Sequence, residues 1–340
     1  SSYSVLLSSI TEPPSGSEQI STLSGLGETF ITKKKDSNKF LIFNYSKEDS
    51  IVSESNTSFS SVLALLAGNE VEFNKAFKFK NVVSVDVVDN FLFVLDKDAN
   101  TCFKFDITGL ITDDIGLKRT GVLDKEHPGR YLLKTIGGEG ISQVKNKLNS
   151  PNSISIYNNL IYILDTGHNS VKVFDLDFNF VKEVNAPNLF NNPNYGELVS
   201  LVVDAYSDTN DTARGYILSS KGKIFEYLPI ANKINVPTDL YDFYDTRLQV
   251  LSGVSFSNTF NKIVNSKIRK NIIYINNKGR IYKYYKSNFK TYITEFDLES
   301  KASGLQIGNE TNQQEILSFD TVEYNNQEYI IVTTINNPNK

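Results

Sequence analysis

The sequence predicts an all-β fold, and three observations support this prediction. Short runs that alternate apolar and polar residues recur along the 340 residues, whereas helical periodicity is almost absent. Clusters of Asn, Asp and Gly separate these runs, as expected for tight hairpins. The runs also form a repeated unit that cannot bury both of its faces alone. Together these features predict a six-bladed β-propeller of four-stranded antiparallel blades, in which radial stacking covers every sheet.

The repeat is clearest between two segments that align without a gap. The segment NFLFVLDKDANTCFKFD at residues 90–106 matches NLIYILDTGHNSVKVFD at residues 159–175, and weaker copies occur elsewhere. The six units that result fill residues 1–340, so we expect a single propeller domain and interpret it as part of a longer chain. Aligned on the end of their second strand, the units are centred near Asn44, Asp96, Asp165, Ser219, Asn276 and Thr333.

An alternating run suited to an inner strand precedes each unit. These runs are ETFITK, VVSVDVV, SISIY, LVSLVVD, GVSFS near Val254, and LSFDTVEY. The last unit lacks outer strands, whereas the N-terminal YSVLLSSI belongs to no blade. A first strand that closes the ring by joining the last blade would account for both facts, and a continuation of the chain after Lys340 would account for them as well. Two long insertions, 107–130 and 185–197, interrupt the repeat.

One unit resembles the NHL-repeat propellers. It contains a glycine-rich turn, IGGEG, at residues 136–140, then LNSP ending at Pro151, SISI, LIYILDTGHNSVKVFD and FNFVKEV. The resemblance implies structural roles for the repeat-motif residues, which are Asp96, Asn100, Pro151, Asp165 and Asn169. As motif residues, Asp96 and Asp165 are expected to orient the hairpin turn by accepting backbone N–H bonds. The family usually has Arg after the turn Asn, whereas this chain has Thr101 and Ser170, so no binding role is carried over to that position.

Composition excludes several classes of protein. The net charge is -4, and the charged residues are interspersed rather than grouped, which argues against a nucleic-acid partner. No apolar run approaches the ~18 residues that cross a bilayer, so no membrane insertion is expected. The single cysteine, Cys102, rules out an internal disulfide and a zinc cluster built from thiolates.

The sequence predicts no catalytic residue, no metal ligand and no cofactor. The segments DKDAN and DLDFN begin like calcium loops but lack the later Gly and Glu. His127 and His168 lie apart in loops, and we expect both to be exposed turn residues. Some related six-bladed propellers are hydrolases or lyases that hold an axial metal through inner-strand side chains. On that alternative, Glu28, Asp86 and Asp320 are the inner-strand candidates.

Partner binding is the function that the sequence favours. Insertions of this kind usually carry the contacts of a rigid scaffold, and aromatic side chains suit a protein or glycan surface. The predicted partner-binding residues are Phe190, Tyr195, Tyr241, Phe243 and Tyr244. We therefore expect a non-enzymatic interaction or scaffold module whose partners are other protein subunits of a larger assembly.

The biological setting is predicted from composition alone. The chain has no methionine, is rich in residues with AT-rich codons and ends like a fragment, which suggests a bacteriophage virion component such as a tail, baseplate or fibre-associated protein. A virion or extracellular location is therefore favoured over the cytoplasm. Two alternatives stay open, namely an axial-metal hydrolase or lactonase and an extracellular glycan- or peptide-binding propeller.

Overall fold

The computed structural model describes most of the strands of the chain and the turns between many of them. The described residues are 7–10, 17–22, 29–34, 39–47, 63–65, 69–72, 78–107, 132–138, 145–235, 260–277, 280–286, 288–292, 305–306, 315–324 and 327–335. Within these ranges the protein is all-β, apart from a one-turn helix at Pro187–Phe190 and a 3₁₀ turn at Thr166–His168. None of the helical segments in these ranges is long and apolar enough to span a bilayer.

The strands are short, and turns rich in Asn, Asp and Gly separate many of them. The first thirteen are β1 (Leu7–Ile10), β2 (Ser17–Thr22), β3 (Thr29–Lys34), β4 (Lys39–Lys47), β5 (Leu63–Leu65), β6 (Asn69–Glu72), β7 (Val82–Val88), β8 (Phe91–Asp96), β9 (Thr101–Asp106), β10 (Leu132–Gly137), β11 (Ser153–Tyr157), β12 (Leu160–Asp165) and β13 (Ser170–Asp175). The others are β14 (Phe180–Asn185), β15 (Leu198–Ser207), β16 (Asn210–Ser219), β17 (Ile224–Leu228), β18 (Lys233–Asn235), β19 (Phe260–Asn265), β20 (Ile272–Asn277), β21 (Arg280–Tyr285), β22 (Asn288–Tyr292), β23 (Leu305–Gln306), β24 (Glu315–Tyr324) and β25 (Gln327–Ile335).

Four regular blades follow one another along the chain. Strands β7–β10, β11–β14, β15–β18 and β19–β22 each form an antiparallel sheet in simple sequential order, and β23 also pairs with β21. Strands β8, β12 and β16 end at Asp96, Asp165 and Ser219, the positions on which the repeat was aligned. The all-β propeller with antiparallel four-stranded blades is therefore confirmed.

The two sheets nearest the chain ends depart from this pattern, so the prediction of six such blades is wrong. In one of them, β4 is long enough to pair with β6 through Lys39–Ile42 and with β5 through Tyr45–Lys47. In the other, β24 and β25 are joined by β1, which runs parallel to β25. The structure thus has four regular blades and two irregular sheets.

The inner strands contact one another in a closed cycle. Strand β2 contacts β7, β7 contacts β11, β11 contacts β15, β15 contacts β19, β19 contacts β24, and β24 contacts β2. Between neighbouring blades lie apolar clusters, such as the one in which Phe93 and Leu95 of one blade pack with Ile161 and Ile163 of the next. Burial between the blades therefore stabilises the ring and leaves a channel along its axis.

The inner strands of the first and fifth units differ from the sequence prediction. In the first unit ETFITK was the expected inner strand, but β2 takes that place beside β7 and β24, and β3, which contains TFITK, is the second strand of the sheet. In the fifth unit GVSFS near Val254 was the expected inner strand, but the structure uses β19, with the sequence FNKIVN, and residues 251–259 lie outside the described residues. GVSFS alternates apolar and polar residues, whereas FNKIVN does not alternate strictly, and it is the pairing of β19 with β20 that makes FNKIVN the inner strand.

Candidate functional site in the axial channel

The inner strands surround a cavity of about 400 Å³ on the ring axis. Its lining comes from β7, β11, β15, β19 and β24, together with a few residues that flank these strands. This volume falls within the range of small-molecule sites, roughly 300–1,000 Å³. The channel is therefore the candidate functional site.

Serine side chains of the inner strands bind the backbone of the next blade. An inner strand is the edge of its sheet, so some of its N–H groups have no partner within the blade. A serine of the preceding blade accepts a hydrogen bond from such a group at three of the blade junctions. The bonds run from Ile154 N to Ser84 Oγ (3.3 Å), from Leu201 N to Ser153 Oγ (3.0 Å) and from Ile263 N to Ser200 Oγ (3.1 Å).

A second level of the same contacts lies two residues further along the strands. Ser155 Oγ accepts from Val203 N at 3.0 Å, and Asp86 Oδ2 accepts from Ile156 N at 3.2 Å. We call Ser84, Asp86, Ser153, Ser155 and Ser200 the channel belt. The belt satisfies backbone donors that face the axis and fixes each blade against the next.

Asp86 is the one ionisable residue among the five that form the channel belt. Its Oδ1 also accepts from Val87 N at 2.8 Å. Burial nevertheless raises the pKa of Asp86 from 3.8 to about 6, and the charge of Asp320 adds to the rise. The charge of Lys267 and the two backbone N–H bonds oppose the rise without cancelling it.

Two lysines face these carboxylates across the channel. Lys267 Nζ lies 3.3 Å from Asp320 Oδ1 and forms an ion pair with it. Burial lowers the pKa of Lys267, but the charges of Asp320, Asp86 and Asp204 outweigh burial and raise it overall. Lys262 Nζ donates to Ser318 Oγ at 2.9 Å, and burial lowers the pKa of Lys262.

The inner-strand carboxylates do not converge on a metal site within the ranges that the structure describes, where no group of three or more Asp, Glu, His or Cys residues could hold an ion. Asp86 and Asp320 both line the channel. Glu28, the third candidate, lies outside the described residues. Asp204, also on an inner strand, accepts from Ala205 N at 2.8 Å and pairs with Lys270 at 3.2 Å.

Asp96 and Asn100 organise the turn of the β7–β10 blade. The Asp96 carboxylate accepts from three backbone N–H groups, those of Lys80 (2.8 Å), Asn81 (2.9 Å) and Ala99 (3.1 Å). Asn100 has a φ of 52°, a left-handed conformation that Asn tolerates, and its Oδ1 accepts from Ser150 N at 2.8 Å. This turn is therefore bound to the segment that leads into the next blade.

The glycine-rich turn lies against the turn that contains Asn100. A Cβ on Gly137 would lie 2.0 Å from the carbonyl oxygen of Asn100, and Gly138 N donates to that oxygen at 2.8 Å. Gly137 also has a φ of +94°. Both facts require glycine at this position and give it a packing role.

The matching turn of the β11–β14 blade contains a buried ion pair. Asp165 Oδ1 accepts from Asn149 N at 2.8 Å, and its Oδ2 lies 2.8 Å from Lys172 Nζ and 2.7 Å from His168 Nδ1. His168 is only 5% exposed, so the expectation of an exposed turn histidine is wrong. The 3₁₀ turn directs its ring inward, onto Asp165. Asn169 again has a left-handed φ, 56°, and Pro151 is buried.

The second DxDxN-like segment forms a capped hairpin turn. Asp175 Oδ1 accepts from Asp177 N at 2.9 Å and from Asn179 N at 2.8 Å, and its Oδ2 accepts from Asn179 Nδ2. The hydrogen bonds from Asn179 lower the pKa of Asp175. Its oxygens therefore serve the turn, as expected for Asp in this context.

The predicted partner-binding residues have different positions. Phe190 is 8% exposed and packs in the core between the β11–β14 and β15–β18 blades, which argues against its role as an anchor. Tyr195 is partly buried, with its ring centroid 4.9 Å from that of Phe225. Tyr241, Phe243 and Tyr244 lie outside the described residues, as does the first insertion after Ile107.

Sequence reasoning missed Lys262 and Lys267 because it placed the inner strand of their blade too early. The segment NKIVNSK at residues 261–267 carries both lysines, but runs of polar residues flank its apolar pair, so it does not alternate as an inner strand is expected to. Its periodicity therefore contained no signal that could have identified them.

No protein-family model and no curated protein matches the chain. Among solved structures, it is similar to a β-propeller protein, virginiamycin B lyase from Staphylococcus aureus, crystallised in selenomethionine-substituted form. The TM-score is 0.50 with 10% sequence identity, over 96% of this chain and 94% of that chain. At this identity the similarity shows the fold alone.

Proposed function

We propose that this chain is a rigid, non-enzymatic β-propeller module with NHL-like blades that binds other protein subunits in a larger assembly. The observation that supports this proposal is the set of contacts that the inner-strand carboxylates make. Asp86 accepts two backbone N–H bonds, and Asp204 and Asp320 each accept one and also pair with a lysine. Within the described residues, these contacts leave no group of three or more carboxylate, imidazole or thiol side chains placed to hold a metal.

The second insertion is the best candidate for the partner surface. It emerges between β14 and β15, where Pro187, Asn188, Asn191 and Asn194 are exposed around the buried Phe190. The buried Phe190 fixes this loop to the core, so the exposed polar residues around it form a surface of defined shape. A bacteriophage virion is the biological setting that composition suggests, and it remains a prediction.

An enzyme that acts on a small molecule is the second candidate function. Asp86 lines a cavity of suitable size, and its pKa of about 6 suits a general acid or base. The similar solved structure is that of a lyase. In this alternative, Asp86 would act as the general acid or base. The Lys267–Asp320 ion pair would hold the Asp86 side chain in position.

Native mass spectrometry of the natural-length protein, purified with its partners, tests the interaction module. We expect a stoichiometric complex that the double variant Asn188→Arg/Asn194→Arg dissociates, because bulky charge would disrupt the insertion surface. Thr209→Arg is the control, since it lies in the β15–β16 turn at the opposite end of the strand. A complex that survives the double variant, or a monomer in every preparation, would overturn the proposal for this surface.

A further inference from the structure

The channel contains two partly buried side chains of opposite charge that form no ion pair with each other. In the part of the chain that the structure describes, Lys267 pairs with Asp320 and Lys270 with Asp204, but neither Asp86 nor Lys262 has an ion-pair partner within 4.0 Å. Both line the same cavity of about 400 Å³. A charged group that is withdrawn from bulk water gains from a partner of opposite charge.

The hydrogen bonds of these two side chains leave room for a ligand. Lys262 can donate three hydrogen bonds, and its one protein acceptor among the described residues is Ser318 Oγ. Asp86 accepts from backbone N–H groups, which supply no positive charge. Burial shifts both groups toward their neutral forms, raising the pKa of Asp86 and lowering that of Lys262. The charged form of each group would therefore be stabilised by a ligand group of opposite charge.

We propose that the channel binds a small zwitterion of the α-amino-acid class, with its carboxylate at Lys262 and its ammonium at Asp86. The charges of Asp86, Asp320, Lys262 and Lys267 sum to zero when all four are ionised. A ligand of a single charge would add net charge to the channel, whereas a zwitterion supplies one partner to each of the two groups. This site goes beyond the interaction function and does not depend on it.

The first test uses the unmodified chain and needs no variant. The free common L-amino acids are screened by thermal shift at up to about 10 mM, which fills even a millimolar site, and hits are measured by calorimetry. We expect at least one to bind and to be recovered unchanged by mass spectrometry. Its amide, without the carboxylate, and its N-acetyl derivative, without the ammonium, should each bind about tenfold more weakly or worse. If no free amino acid binds, or if both derivatives bind equally well, the proposal is wrong.

Paired variants then assign each end of the ligand. Asp86→Asn should remove the preference for the amino acid over its N-acetyl derivative, and Lys262→Gln should remove the preference over its amide. The controls Asp89→Asn and Lys80→Gln make the same chemical changes at exposed positions and should leave affinity unchanged. Circular dichroism and the melting temperature verify folding of each variant. The proposed orientation would be contradicted if either single variant lost both preferences together. It would also be contradicted if neither variant lost any preference.

Discussion

At the scale of single residues, Asp86 shows competition between hydrogen bonding and burial. Two backbone N–H bonds favour its ionised form, but burial and the neighbouring Asp320 have the larger effect and raise the pKa to about 6. The interblade contact therefore depends on a carboxylate whose charge opposes folding at neutral pH.

Replacing Asp86 with Asn should change how stability depends on pH. Because the folded-state pKa is raised, native protein binds a proton between pH 6 and 4 that unfolded protein releases, so the Asp86 contribution grows as pH falls. We expect the unfolding free energy of the wild type, relative to Asp86→Asn, to rise by about 2 kcal/mol between pH 7.5 and 4.5. Urea unfolding at both pH values measures this. Asp89→Asn should show no such change, and the same pH dependence in both variants would contradict the prediction.

The two aligned turn aspartates should differ in their energetic importance. Asp165 pairs with buried Lys172, whereas Asp96 has no cation within salt-bridge distance among the described residues. Asp165→Asn should therefore cost about 3 kcal/mol, because it leaves a buried ammonium without its counterion, and Asp96→Asn should cost about 1 kcal/mol. Urea unfolding of both variants at pH 7 is the measurement. Equal losses would show that the ion pair adds nothing to the turn.

At the scale of strands and blades, serine side chains link neighbouring inner strands that belong to different sheets. Ser153 and Ser155 of β11 accept from Leu201 N and Val203 N of β15. Since β11 and β15 belong to different sheets, these bonds hold the two blades in register.

Removing both hydroxyls should loosen this junction locally. In Ser153→Ala/Ser155→Ala, the amides of Leu201 and Val203 lose their acceptors, and each unsatisfied buried group costs about 1–3 kcal/mol. We expect hydrogen exchange at these two amides to accelerate by about tenfold or more, with smaller effects in the other blades. Ser207→Ala, at the far end of β15, provides the control. Unchanged exchange rates at these two amides in the double variant would show that the serines of the channel belt do not stabilise the junction.

The repeat pattern predicts strands well where the turn chemistry is local. Asp96 and Asp165 end strands β8 and β12, and Asn100 and Asn169 follow each of them in a left-handed conformation, so the same residue types recur at the same spacing and a sequence comparison detects them. The choice of β19 as an inner strand and the burial of His168 and Phe190 depend instead on partners far along the chain or on packing. The presence of Asp86, Lys262, Lys267 and Asp320 in one channel likewise arises from ring closure, which brings together β7, β24 and the segment formed by β19 and the residues just after it.

At the scale of the whole molecule, closure of the ring rests on the two irregular sheets. Strand β1 joins β25, so the beginning and end of the chain meet in one sheet. Glu328 of β25 accepts from Ser266 Oγ (2.8 Å), Tyr274 OH (2.7 Å) and Lys267 N (2.8 Å), which ties that sheet to the preceding blade. Closure also places Lys267 beside Asp320, so the same contacts that complete the ring shape the charged channel.

The most direct test of the central claim, that the axial channel is a hydrogen-bonded structural core of an interaction module rather than a metal centre, is a calorimetric titration. The chain, dialysed against a chelator, is titrated in turn with MgCl₂, CaCl₂, MnCl₂ and ZnCl₂, and Asp86→Asn and Asp320→Asn are titrated in parallel. We expect no stoichiometric binding, because the inner-strand carboxylates are bound to backbone N–H groups and lysines. One equivalent of metal bound by the wild type and lost in both variants would contradict this claim and would establish an axial metal site.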